Sequence, residues 1–229
     1  MNSKMVIIKV GGSLIVPADI NKKYLKDFVS IIKKHTKRGK KFIVIAGGGY
    51  TARWYRDAAK VMGVKDELDL HWVGTIATRL NAELLRTVFG KLAYKRSYYD
   101  LSEKINWRTS VLVAGGNKPG ASTDLQAVLM AKKIKDKSII NMTNVDSLYT
   151  KDPRKYHNAK PIKEISWKDY RTMFGNPTKH LPGQNIPIDA VAAIESQKIH
   201  LETFYIGGKN LKNLDNLLSG KSWKGTRIY

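Results

Sequence analysis

Four apolar segments of this 229-residue chain stop abruptly at small residues, and helical patterning follows the first three stops. Residues 4–10 (KMVIIKV) end in Gly11-Gly12-Ser13, and residues 42–46 (FIVIA) end in Gly47-Gly48-Gly49. Residues 111–113 (VLV) run out just before Gly115-Gly116, and residues 138–142 (SIINM) lead to Thr143-Asn144. Short, continuously apolar runs are the pattern of strands buried on both faces, as in a parallel sheet. Strands that alternate with helices predict a mainly parallel, doubly wound α/β fold. In such a sheet ligands bind beyond the carboxyl ends of the strands. The four small-residue ends are therefore expected to converge on one site.

The helical periods fall at residues 20–35, 50–62, 67–92 (one long helix or a broken pair), 125–134, 165–173, 188–197 and 211–218. Short strands are expected at 94–99, 201–206 and 225–228. Asp152-Pro153 marks a turn, and residues 175–187 read as a loop. No linker or internal repeat interrupts the pattern.

The most chemically loaded stretch is 111–127, VLVAGGNKPGASTDLQA. A strand end, two glycines and the helix start Ser122-Thr123-Asp124 bring many backbone N–H groups to one point, which suits a phosphate. Asp124 would repel a bare phosphate, so its place there makes sense if it orients a lysine or Mg²⁺ at a reacting centre. The same three residues also suit a plain helix cap.

Composition narrows the chemistry. There is no cysteine, which excludes disulfides and thiolate sites. No run approaches 18 uncharged apolar residues, and no signal-peptide pattern precedes the first strand, so a cytoplasmic protein without a membrane partner is expected. The net charge is +22, but its lysines are dispersed over helix ends and polar faces. That reads as a solvated surface that attracts polyanions at low salt, not as a specific nucleic-acid site. The chain has no GxxxxGK[ST] and no GxGxxG in a βαβ setting. Phosphoryl transfer remains, because it needs clamps for charged oxygens more than a special nucleophile.

The ordered set KVGGSL, AGGGYTAR, GGNKPGASTD, TNVDSLYTKDP and IDAVAA resembles the amino acid kinase superfamily. GYTAR, GTIATRLNA and the GNKPGASTD spacing are most similar to its archaeal uridylate (UMP) kinase branch. The resemblance implies a three-layer αβα sandwich over residues 1–229, with an acceptor lobe (about 1–135) and an ATP lobe (about 136–229). It implies transfer of the ATP γ-phosphoryl to UMP, with Mg²⁺ accompanying ATP and no metal ligand from the protein. It also implies a homo-oligomer, dimer or hexamer.

By the same resemblance, Lys9 neutralises the moving phosphoryl, while Gly11, Gly12 and Ser13 donate N–H groups to it. Gly49 and Arg53 face the ATP phosphates or the transfer point. Thr143, Tyr149 and Asp152 hold adenine and ribose. Gly48, His71, Asn117, Lys118, Pro119, Gly120, Ala121, Ser122 and Thr123 surround UMP. Asp124 and Asp189 are acidic organisers. Two positions depart from the pattern: His71 stands where the family has a ribose-holding Asp, with Asp69 two residues earlier, and Ser147 replaces a Gly. The alternatives are a related phosphotransferase with another small phosphate or carboxylate acceptor, and a non-catalytic nucleotide- or oxyanion-binding protein.

Overall fold

The computed structural model describes residues 4–104, 106–153, 155–178 and 186–229. The chain opens with β1 (Met5–Val10), the one-turn α1 (Gly12–Ile15) and α2 (Lys22–Thr36). Then come β2 (Lys41–Ala46), α3 (Gly49–Val61) and α4 (Glu67–Phe89), followed by β3 (Val111–Ala114), α5 (Thr123–Ile134) and β4 (Ser138–Thr143). Next are the short β5 (Leu148–Tyr149), β6 (Pro161–Ile162) and β7 (Glu164–Ile165), with α6 (Trp167–Met173). The chain ends with α7 (Ala190–Lys198), β8 (Glu202–Gly207), α8 (Leu211–Leu218) and β9 (Thr226–Ile228).

Seven strands form one sheet in the order β3-β2-β1-β4-β8-β9-β7. The run from β3 to β8 is parallel throughout; only β9 turns antiparallel against β8. Strand residues alternate between two cores, as period 2 requires. Val6, Ile8 and Val10 pack with Phe28 and Ile32 of α2, Leu85 of α4 and Leu217 of α8. Ile7, Ile43 and Ile45 pack with Met130 of α5, Trp167 and Tyr170 of α6 and Ala193 of α7. This is a three-layer αβα arrangement, and burial of both sheet faces explains why the strands read as unbroken apolar runs. No described helix is long and apolar enough to cross a membrane.

One open alternative is resolved, and two local features differ from the sequence reading. Residues 67–89 form one unbroken helix, capped by Asp66, whose side chain accepts from the Leu68 N–H. The expected strand at 94–99 does not form: only Ala93 and Tyr98 bridge to β3, while Arg96 turns out to pair with Glu103. An antiparallel β5–β6 hairpin stands beside the main sheet. Most of the loop expected at 175–187 lies outside the described residues.

Candidate active site

Lys9 follows from the pleat. It shares a face with Ile7, so its side chain rises on the α5 side of β1 near the carboxyl end. Along that row of the sheet, Ala114, Ile45, Lys9, Asn141, Tyr205 and Thr226 are register neighbours. The first turn of α5 lies over Lys9, and Asp124 meets it: Nζ is 2.9 Å from Asp124 Oδ1 with both side chains largely buried. Asn141 Nδ2 donates to the same oxygen at 3.0 Å. Ser122 caps α5, its Oγ accepting from the Leu125 N–H at 3.0 Å, so capping and site-building coexist in one turn. Tyr205, beside Asn141, has its phenol pushed up to about 12 by burial and stays neutral.

Glycine lets the strand ends close on one another. A Cβ at Gly12 would lie 2.0 Å from Gly49 N, and one at Gly47 would lie 2.5 Å from Gly12 N. Gly49 has φ +64° at the start of α3. The motif at residues 74–82, GTIATRLNA, is what fixes these ends. Asn81 Nδ2 donates to the carbonyls of Gly47 (2.8 Å) and Gly48 (2.9 Å). Thr78 Oγ1 accepts from the Gly116 N–H at 2.7 Å. Arg79 donates to the carbonyls of Gly116 and Asn117 and stacks on the Tyr99 ring at 4.1 Å. One helix thus holds two glycine-rich ends, which is a physical reason for that residue pattern.

Two clefts meet at Gly48, Gly49, Arg53 and Thr123. The larger, about 590 Å³, is lined by Lys9, Gly11, Gly12, Ser13, Gly49, Arg53, Thr143, Tyr149 and Asp152, all nine of the residues expected around ATP. Its lining also carries Tyr149, Pro153, Met173, Phe174, Ile186 and Pro187, a largely apolar set. The smaller, about 300 Å³, is lined by Gly48, His71, Ala121, Ser122 and Thr123 from the expected acceptor set, with Gly74, Thr75, Thr78, Gly116 and the cations Arg53 and Arg56. Among the described residues no acidic side chain lines it.

Not every expected residue joins a cleft. Asn117, Lys118, Pro119 and Gly120 line neither, and Arg79 holds the Asn117 carbonyl. Asp124 and Asp189 also line neither: Asp124 reaches the larger cleft only through its pair with Lys9, and Asp189 Oδ1 caps α7 by accepting from the Ala192 N–H at 2.9 Å, while its own N–H lies 3.5 Å from Asp124 Oδ2. His71, not Asp69, lines the smaller cleft, because the unbroken α4 leaves Asp69 exposed in its first turn. Ser147 stays out of the left-handed backbone region, so the turn tolerates a side chain where the family has glycine. Asn141 and Arg56 were not among the expected site residues. Asn141 is hidden inside an apolar strand, and only its register opposite Lys9 discloses it.

The family model described as "Amino acid kinase family" matches residues 4–193. The uridylate kinase of Methanobrevibacter smithii is 30% identical over 226 residues, covering 97% of this chain and 98% of that protein. The uridylate kinase of Pyrococcus abyssi is also 30% identical, over 227 residues, with 97% and 98% covered. Among solved structures, uridylate kinase from Archaeoglobus fulgidus superposes with a TM-score of 0.83 at 30% identity, covering 98% of this chain and 99% of that one. With its length, its sheet and its ordered motifs all matched, this chain belongs to the amino acid kinase family.

Proposed function

We propose that this protein is a UMP kinase, transferring the γ-phosphoryl of ATP to UMP to give ADP and UDP. One observation carries the reading: Lys9, held by the buried Asp124 carboxylate, lines a larger cleft that shares Gly48, Gly49, Arg53 and Thr123 with a smaller, cationic one. Such a junction fits a donor nucleotide and a phosphate acceptor placed end to end. The near full-length similarity to uridylate kinases supports the choice of UMP.

In the proposed reaction an acceptor phosphate oxygen attacks the γ-phosphorus, and the bond from that phosphorus to the β–γ bridging oxygen breaks. The acceptor is already anionic, so no general base is needed. Catalysis is alignment and charge neutralisation. Asp124 aims the Lys9 ammonium, and the Gly12 and Ser13 amides face the charge that moves; the Gly11 N–H, expected to join them, is instead donated to the Met142 carbonyl at 2.8 Å, as the strand pairing of β1 with β4 carries on past Val10. Arg53, whose Nη1 reaches to 3.5 Å from Ser13 Oγ, stands at the seam of the clefts. Tyr149 and the apolar residues that line the larger cleft suit adenine. Mg²⁺ belongs to this reading as part of the ATP substrate. Asp124 is already engaged by Lys9 and Asn141. The reading also places the acceptor in the lobe of about 1–135 and ATP in that of about 136–229, in a cytoplasmic homo-oligomer.

The test is an ADP-release assay with UMP, CMP, dUMP and small carboxylates. UMP is expected to be preferred, and Lys9→Ala to lower kcat by at least about 100-fold while the fold survives. A carboxylate preferred over every nucleotide, or full activity in Lys9→Ala, overturns the reading.

A further inference from the structure

The acceptor cleft holds one more cation than the family resemblance assigns. Arg53 and Arg56 are one turn apart on α3, so both face the same way. Their surroundings differ. Arg53 lines both clefts and leans toward Ser13. Arg56 lines the acceptor cleft alone.

Its position is built rather than accidental. The Arg56 stem lies across α4 where Gly74 leaves room: its Cδ is 3.7 Å from the place a Gly74 Cβ would take. Its Nε donates to the Ala52 carbonyl at 3.3 Å, which fixes the guanidinium plane and leaves the two Nη groups for the cleft. Those Nη groups have no ion pair or hydrogen bond with any described residue. The polar side chains that line this cleft beside the two arginines are His71, Thr75, Thr78, Ser122 and Thr123, with no carboxylate among the described residues. A half-buried guanidinium among groups without a carboxylate is completed by an anion from outside the chain, and its planar fork matches phosphate oxygens.

We propose that Arg56 is a specificity-determining residue that grips the acceptor's own phosphate, leaving Arg53 to the seam where the phosphoryl moves. The inference rests on the UMP-kinase reading and sharpens it: the cleft selects a dianionic phosphate monoester over a singly charged carboxylate, through a group the acceptor keeps in every nucleobase and sugar variant.

Arg56→Ala and Arg56→Lys, each with wild type, provide the test, by steady-state kinetics and by calorimetric titration with UMP and with uridine. α3 has no buried residue, so neither variant threatens the core. In Arg56→Ala the KM for UMP rises about 10- to 100-fold while kcat stays within about threefold and the KM for ATP is unchanged. The loss is the same for UMP, dUMP and CMP, uridine binding does not change, and Arg56→Lys recovers part of the affinity. An unchanged KM for UMP in Arg56→Ala overturns the proposal. So does a loss confined to UMP and absent with dUMP, which would put Arg56 on the sugar. A wild type that neither binds nor phosphorylates UMP fails earlier, and takes the UMP-kinase reading down together with this one.

Discussion

At the Lys9 centre two donors share one carboxylate oxygen. Lys9 Nζ and Asn141 Nδ2 both point at Asp124 Oδ1, and Asn141 Oδ1 is left buried without a hydrogen-bond partner among the described residues. An orphaned buried acceptor costs about 1–3 kcal/mol, so this amide is not there for stability. It holds Asp124, and through it the ammonium, in one orientation. Asn141→Leu should therefore leave the melting temperature level or higher, while kcat falls about 10- to 100-fold from misplacement of Lys9. Thermal melts and initial rates on the same preparation check both; an unaltered kcat would reduce Asn141 to core filling. Lys9 and Asp124 were legible in the sequence because each stands in a motif with glycines or hydroxyls around it. Asn141 was not, since SIINMT reads as an apolar strand with one polar residue, and its meaning lies in the partner strand.

The elements succeed or fail as sequence signals according to their length. Strands β1 to β4 and helices α2 to α5 are long enough to show a run or a period, and all were readable. The one-turn α1 and the two-residue strands β5, β6 and β7 are too short to carry either. Residues 94–99 misled because Tyr94, Tyr98 and Tyr99 look strand-like, yet Lys95 and Arg96 face outward with only Ala93 and Tyr98 bridging to the sheet. What no periodicity reveals is how closely two elements approach. The β1 end and the α3 start touch backbone to backbone, so Gly12→Ala drives a methyl into Gly49 N and Cα. Neither side can rotate away, and a cost of about 1–3 kcal/mol with loss of activity is expected. Gly63→Ala is the control: at φ +89° with open space around it, it carries only backbone strain, about 1 kcal/mol, and full activity. Equal melting losses with equal activity in the two variants would show that the strand ends are not in contact.

Across the whole molecule, the two ends of the chain are tied by one polar cluster. His35, on α2 and 1% exposed, lies with its Nε2 2.8 Å from Asp215 on α8, and Lys34 reaches the same carboxylate at 2.7 Å. Burial pushes the Asp215 carboxyl up, but hydrogen bonds from Lys34 and His35 outweigh it and hold the group below its ordinary range. An ionised carboxylate can only accept, so the neutral ring carries its proton on Nε2 and donates it. Burial lowers the His35 pKa from its ordinary 6.5, and the nearby Lys34 and Arg38 add to that, against the pull of Asp215. The folded protein then takes up its proton at a lower pH than the unfolded chain does. Stability from this group is complete above pH 6.5 and declines as acidification proceeds from there to the lowered folded value. A net charge of +22 gives the fold no reason to welcome one more positive charge inside. Melting temperature should therefore fall between about pH 7 and pH 5.5 in the wild type, and fall less in His35→Gln, which keeps a donor for Asp215 but does not titrate. The other four histidines are common to both proteins, so the difference in slope belongs to His35. Parallel slopes would mean that His35 binds its proton equally well folded and unfolded, and that the α2–α8 tie is insensitive to acid in this range.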